Sequence, residues 1–258
     1  MSAPASATRA SPFDVVAAEY DSGFGRSAAG RLFRFQLAER VWKTVRPGAS
    51  LLDVGAGTGE DAAWFAAHGF SVTGIDPSAG MLEVAGGKRD GTSRAPVFVR
   101  SGLLEFAPGK AFDAVYSNFG AMNCVPLEGW AEALKRLVAP GGRVFLVLMG
   151  RRPLPEAVKL GREAWARRAS PKAPVGPGEI AVTYPGPREV IEALGPAFRL
   201  ERTETMGVLV PRPGMDGWPV RSPILFGLIA AFESMVRRVQ GLCGYSDHYL
   251  IELTRLRT

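Results

Sequence analysis

Leu51–Glu60 reads LLDVGAGTGE, an apolar run that carries one aspartate, Asp53, followed by glycines at every second position, Gly55, Gly57 and Gly59. A strand ending in such a loop and opening into a helix lets backbone come close to a ligand and leaves helix N–H groups aimed at it. A plain strand-to-helix turn needs one glycine and not three. A dinucleotide loop needs G-x-G-x-x-G, but position 60 is Glu and the third glycine, Gly59, falls one residue early, which disfavours a nicotinamide-dependent oxidoreductase. A carboxylate at Asp53 suits a ligand carrying an ammonium or sulfonium charge better than a diphosphate.

Outward from the loop, short β-rich runs alternate with helical ones. Strands are predicted at Ser50–Val54, Ser71–Ile75, Val97–Arg100, Ala114–Ser117 and Val144–Met149, and helices at Glu60–His68, Ala79–Ala85 and Leu127–Val138, with a turn at Pro140-Gly141-Gly142. That rhythm predicts an α/β, doubly wound, mostly parallel sheet whose ligands bind at the carboxyl ends of the strands. Helical spacing over Phe13–Val45, broken by Gly23, Gly25 and Gly30, places a helical cap (13–47) before a cofactor-binding core (48–150). After Met149 the rhythm breaks. Residues 151–186, with a helix over Glu156–Ala169, and 210–246, with an apolar helix, read as lid insertions around a helix at Pro187–Leu194 and a strand at Phe198–Met206, and Tyr249–Arg255 alternates like a last strand.

The 258 residues, 47% hydrophobic, suffice for one domain over 13–258. MSAPASATRA has no apolar core, so residues 1–12 are expected to be a disordered tail and not a signal peptide. Cys124 and Cys243 stand far apart with no ligand-spaced Cys or His near them, which excludes a disulfide framework and a zinc site and makes the cytoplasm the expected location. The net charge of +6 is uneven: residues 1–150 hold 15 basic and 14 acidic residues, residues 151–258 hold 16 and 11.

With those motifs in place the sequence resembles the class I S-adenosylmethionine-dependent methyltransferases of small-molecule type over Tyr20–Met149. The acidic residue and G-x-G-x-G stand as D53-V-G-A-G-T-G, and the acid ending the next strand stands as V-T-G-I-D76, 17 residues beyond Gly59. The resemblance implies a seven-stranded sheet, S-adenosyl-L-methionine as cofactor with S-adenosyl-L-homocysteine as product, and a cofactor site of Tyr20, Asp53, Gly55, Ala56, Gly57, Gly59, Asp76, Pro77, Met81, Leu103, Leu104, Asn118 and Phe119. Asp76 would accept the ribose hydroxyls, and Tyr20 would close over the methionine part. Where many relatives carry Gly-Asp after the third strand this chain has Gly102-Leu103, so backbone N–H at Leu103 or Leu104 would reach the adenine. Asp113 begins its strand at the end away from the ligand and is expected to be structural.

The implied chemistry is in-line displacement at a sulfonium methyl, driven mainly by proximity and orientation. No catalytic residue is legible. His68 in A-A-H-G reads as a helix cap, and His248, beside Asp247, as structural. N118-F-G-A stands where base-methylating enzymes carry [DN]-P-P-[YF], and Cys124 lacks a Pro-Cys context, so nucleic acid is not the expected acceptor. The aromatic lids, with Trp165, Tyr184, Trp218, Phe226 and Phe232, fit a small, partly hydrophobic organic acceptor touched by Asn123 and Tyr184. A methyltransferase-like protein that binds cofactor without turnover is the alternative. Residues 151–172 hold seven basic residues, which with Pro223–Val236 and flanking Arg221, Arg237 and Arg238 raise transient contact with an anionic membrane beside the plainer reading of a solvated lid. The sequence leaves the oligomeric state open.

Overall fold

The computed structural model describes residues 11–22, 27–88, 95–210 and 222–257. Its centre is a seven-stranded sheet in the order β3-β2-β1-β4-β5-β9-β8, built from β1 (Ser50–Val54), β2 (Ser71–Asp76), β3 (Val97–Arg100), β4 (Phe112–Ser117), β5 (Val138–Met149), β8 (Phe198–Met206) and β9 (His248–Arg255). β1 to β5 run parallel, and β9 runs antiparallel to both β5 and β8. The order reverses between β1 and β4, so a crevice opens beyond their carboxyl ends. This is the fold expected.

Alternating side chains build a core on each face. Leu51, Tyr116, Phe145 and Leu250 pack under α2 (Ala28–Thr44) and α3 (Glu60–Ala67) through Phe33, Leu37, Val41 and Phe65. Leu52, Val115, Leu146 and Ile251 face the other way, toward Trp130 and Leu134 of α5 (Trp130–Leu137) and Val190 of α8 (Pro187–Leu194). The period of two along each strand decides which helix layer each residue meets.

Several expectations are corrected. Most of the tail lies outside the described residues, but Ser11 and Pro12 belong to a helix: Ser11 caps α1 (Pro12–Tyr20) in a capping box with Asp14. Pro140-Gly141-Gly142 falls inside β5, where the register with β4 shifts, so the expected turn is an irregular strand. The helix expected over 156–169 is two, α6 (Leu154–Leu160) and α7 (Arg162–Ala169), separated at Gly161, whose φ of 60° and ψ of −139° suit glycine alone. A hairpin, β6 (Lys172–Val175) and β7 (Gly178–Ala181), had no strand assigned to it. The apolar helix of the second insertion is α9 (Pro223–Val236), and α4 (Ala79–Gly87) packs against α1, β2 and β3.

Candidate active site

The glycine loop turns as its sequence requires. Gly55, Gly57 and Gly59 have φ of 74°, 52° and 75°, in the left-handed region that favours glycine. A side-chain carbon on Gly55 would strike Ala121 and one on Gly59 would strike Phe98, whereas one on Gly57 would meet open space. Gly57 therefore faces the crevice. Its N–H donates to Asp76 Oδ2 at 2.9 Å, and Ser78 N–H donates to Oδ1 at 2.8 Å, which fixes the carboxylate at the tip of β2. Burial raises the Asp76 carboxyl above the usual range against those two hydrogen bonds.

Asp53 is 2% exposed. Burial, reinforced by Asp61, raises its carboxyl well above the ordinary value. The Tyr116 hydroxyl lies beside it, yet neither that hydroxyl nor Asp53 Oδ2 makes a well-formed hydrogen bond among the described residues. A buried carboxylate oxygen without a donor is costly unless a ligand satisfies it. An ammonium or sulfonium group supplies the missing charge, so the donor set fits the cofactor that the motif implies.

A roof covers this floor. Asp14 of α1 accepts hydrogen bonds from the Ser78 hydroxyl at 2.6 Å and Gly80 N–H at 3.0 Å, clamping α1 onto the start of α4. Beyond α1, Asp21 pairs with the Thr58 hydroxyl and with Lys88, which also reaches Glu60 at 2.8 Å. Tyr20 sits between; burial, with the nearby Asp76 charge among the lesser contributors, pushes its hydroxyl up to about 12. Met81 is buried, Pro77 is exposed with its carbonyl accepting from Arg100, Leu103 packs into the core beneath α5, and Leu104 is partly exposed against Gly129. Glu105 is exposed beside Gly102.

At the end of β4, Asn118 donates to Asp61 Oδ2 at 3.0 Å and accepts from Phe119 N–H, so its side chain braces the rim. Phe119 has a φ of 51°, the one non-glycine in that region among the described residues, and the Arg34 guanidinium lies 4.9 Å above its ring. Asp113 accepts from Ser50 N–H and the Ser50 hydroxyl, both at 2.8 Å, at the far end of the strand, as a structural residue should.

Two cavities are lined by residues outside the glycine loop. One of about 700 Å³ is lined by Arg151, Trp165, Arg168 and Tyr184, and one of about 480 Å³ by Asn123, Cys124, Thr183, Tyr184 and Glu189. Asn123 ties them to the core: it donates to the Thr183 carbonyl at 2.7 Å and accepts from Met149 N–H at 2.9 Å, so its amide is a strut and only its outer surface can meet an acceptor. Sequence reading missed Arg168. It is buried, donating to Asp247 at 2.8 Å and Glu156 at 3.2 Å, and lies over the Tyr184 ring at 5.2 Å.

The basic residues of 151–186 and of the end of α9 are largely paired locally. Arg151 pairs with Glu189, Arg167 with Glu163 and Arg237 with Glu39 and Glu204, while Arg152, Arg162 and Arg238 are exposed. Arg221, Trp218 and the Lys159 side chain lie outside the described residues. α9 turns its charged residue inward: Glu233 is fully buried, accepting from Val208 and Leu209 N–H at 2.8 Å each, while Ile224, Leu228 and Met235 are exposed. No helix among the described residues is long and apolar enough to cross a membrane.

Residues 26–174 match the methyltransferase domain family. The chain is 32% identical over 162 residues to a demethylmenaquinone methyltransferase of Clavibacter sepedonicus, covering 62% of this chain and 64% of that one, so it spans just under two thirds of that relative's length. The fold resembles an S-adenosylmethionine-dependent methyltransferase from Mesorhizobium loti (TM-score 0.57, 20% identity, 86% and 98% of the two chains). It also resembles the [4+2]-cyclase SpnF (TM-score 0.61, 18% identity, 95% and 94%). With its glycine loop, its Asp53 and Asp76 carboxylates and a match over more than half its length, this chain belongs to the methyltransferase domain family and has the S-adenosylmethionine-dependent class I fold.

Proposed function

We propose that the protein transfers the methyl group of S-adenosylmethionine to a small, partly hydrophobic acceptor held between the β4 rim and the lid. One observation carries the link between the two sites. Cys124 lines the smaller cavity and is also within electrostatic reach of Asp76, while Tyr20 and Tyr184 both sense Cys124. Cys124 thus belongs to the lid-side cavity while lying near enough to feel the Asp76 charge. Burial pushes that thiol up to about 11, so it serves as neutral wall and not as nucleophile.

The cofactor supplies an electrophilic methyl whose departure leaves a neutral thioether, so the protein need not protonate a leaving group. The chain's own residues do the rest. Asp53 and Asp76 hold the charged and hydroxyl-bearing ends, Tyr20 with α1 excludes water, and the aromatic lid orients the acceptor in line with the methyl group. Demethylmenaquinone, named for the relatives, sets the acceptor class to try first. Its reduced hydroquinone is the electron-rich, nucleophilic form. Incubation with isotopically labelled cofactor, this hydroquinone and a panel of phenols tests the reading. A gain of one methyl group by any of them, read by mass spectrometry, supports it; tight S-adenosylhomocysteine binding with no product from any acceptor would leave a binding protein.

The exposed apolar face of α9 favours uptake of a lipophilic acceptor from a lipid surface, with Arg238 beside it and the excess positive charge of residues 151–258 directing it to anionic headgroups. Pelleting with anionic but not neutral vesicles at low salt checks this; no pelleting leaves a solvated lid. The free thiols of Cys124 and Cys243 suit a reducing cytoplasm.

A further inference from the structure

β9 begins where the parallel strands end. His248, its first residue, pairs with Met149, the last residue of β5, so it lies on the carboxyl edge of the sheet that holds the glycine loop and the β4 rim. Its imidazole is 3% exposed. Nδ1 lies 2.9 Å from Asp247 Oδ2, and a carboxylate paired with Arg168 can only accept, so Nδ1 carries a proton and Nε2 is the ring nitrogen left to exchange one. That Nε2 is buried and has no hydrogen-bond partner among the described residues. Buried ring nitrogens ordinarily find a partner.

The surroundings hold the ring rigidly. Asp247 N–H donates to the Gly207 carbonyl at 2.9 Å and its carbonyl accepts from Gly150 N–H at 2.8 Å, which pins the residue between the ends of β8 and β5. Asp247 Oδ1 accepts from Arg168 at 2.8 Å, and Arg168 also lines the larger cavity and meets Glu156. Phe33 stands edge-on at 5.5 Å from one side and Phe119, the strained residue of the β4 rim, at 6.2 Å from the other. An acid orienting an imidazole whose second nitrogen is free is the arrangement of a general base.

We propose that His248 is the base of the reaction, oriented by Asp247, and that the acceptor therefore carries a hydroxyl, an N–H or an activated C–H that it loses on methylation. The inference rests on the methyl-transfer reading above. As a lone pair on the acceptor's oxygen or nitrogen, or the π pair of its activated ring carbon, forms the bond to the methyl carbon, the carbon–sulfur bond breaks with its electron pair going to sulfur, and the acceptor's proton passes to Nε2 while its bonding pair stays on the acceptor; the proton is released to solvent after the product leaves.

The chain has two histidines, so a His68→Gln background makes His248 the only imidazole in a nitrogen-15 NMR spectrum, a readout that needs no turnover. The expected result is a protonated Nδ1 and a bare Nε2 in the S-adenosylhomocysteine complex, with the Nε2 resonance shifting when reduced demethylmenaquinone or a phenol acceptor from the same panel is added. His248→Gln should then lower kcat by about 100- to 10,000-fold with S-adenosylhomocysteine affinity unchanged. Asp247→Asn, which keeps the ring but not its orientation, should lower kcat as well and serves if the glutamine variant fails to fold. A protonated Nε2 with a bare Nδ1, an Nε2 resonance indifferent to every acceptor, or a folded His248→Gln enzyme at wild-type kcat would each overturn the assignment. Wild-type protein that methylates nothing while Nε2 behaves as described would count against the methyl-transfer reading instead.

Discussion

The backbone N–H of Gly57 donates to the Asp76 carboxylate at 2.9 Å, so the tip of β2 and the middle of the glycine loop form one unit. Asp76 therefore does more than meet a ligand. Removing it leaves the Gly57 and Ser78 donors unpaired, each at a cost of about 1–3 kcal/mol where buried. Asp76→Ala should lower the melting temperature and also weaken S-adenosylhomocysteine binding by about 1.5–3 kcal/mol for each charged hydrogen bond lost. Calorimetric titration of the folded variant separates the two effects, and unchanged affinity would remove Asp76 from the ribose.

Gly57 and Gly48 provide a matched pair. Their φ values are 52° and 80°, and neither would meet an atom within 4 Å if a side-chain carbon were added. Alanine at either should cost about 1–2 kcal/mol of stability from the left-handed backbone alone. Only Gly57→Ala should also reduce cofactor affinity, because its open space is the crevice. Thermal melts with and without S-adenosylhomocysteine make the comparison, and equal ligand-induced shifts in both variants would place the cofactor elsewhere.

Local chemistry was legible in the sequence, and distant chemistry was not. Asp53, the three glycines and Asp76 could be found because a strand, a loop and a helix fix their spacing. The clamp of Asp14 on Ser78 joins residues 64 apart, and Arg168 meets Asp247 across 79, distances over which no periodicity speaks. The Asp247–His248 pair is adjacent in sequence, but adjacency does not tell that Nε2 is left bare. The β6–β7 hairpin was hidden by Pro174 and Pro177, residues that demote a strand unless it is a short edge pair such as this. Gly161 cut a helix whose apolar spacing ran through it.

Asp53 should couple cofactor binding to pH. Its folded-state carboxyl is raised well above the ordinary value by burial and Asp61, so the ligand-free fold gains stability below the ordinary carboxylate value and loses it as pH rises through the raised one. A cation bound opposite Oδ2 lowers that value. The complex then holds fewer protons than the free protein, and affinity should increase with pH across the window between the two values and level off above it. S-adenosylmethionine titrated in buffers of different ionisation heat should show proton release that Asp53→Asn abolishes; a pH-independent affinity in the wild type would mean that the charge is not received there.

Arg168 should be the residue on which the lid's stability turns. Its guanidinium, 8% exposed, donates to Asp247, Glu156 and the Gly150 carbonyl, joining α6 and α7 to the entry of β9. Arg168→Ala would take the Arg168 guanidinium from two buried carboxylates, which costs about 3–5 kcal/mol, because less of their desolvation is then offset. For a domain of this size that corresponds to a melting temperature lower by roughly 6–20 °C. Arg167→Ala, one residue away, breaks only the exposed pair with Glu163 at 2.7 Å and should change stability by about 0.5 kcal/mol or less. Arg168→Lys keeps the charge but cannot span both carboxylates with a planar fork, so it should fall between them. Differential scanning calorimetry of the three variants gives the order directly, and an Arg168→Ala protein as stable as Arg167→Ala would show that the network does not hold the lid.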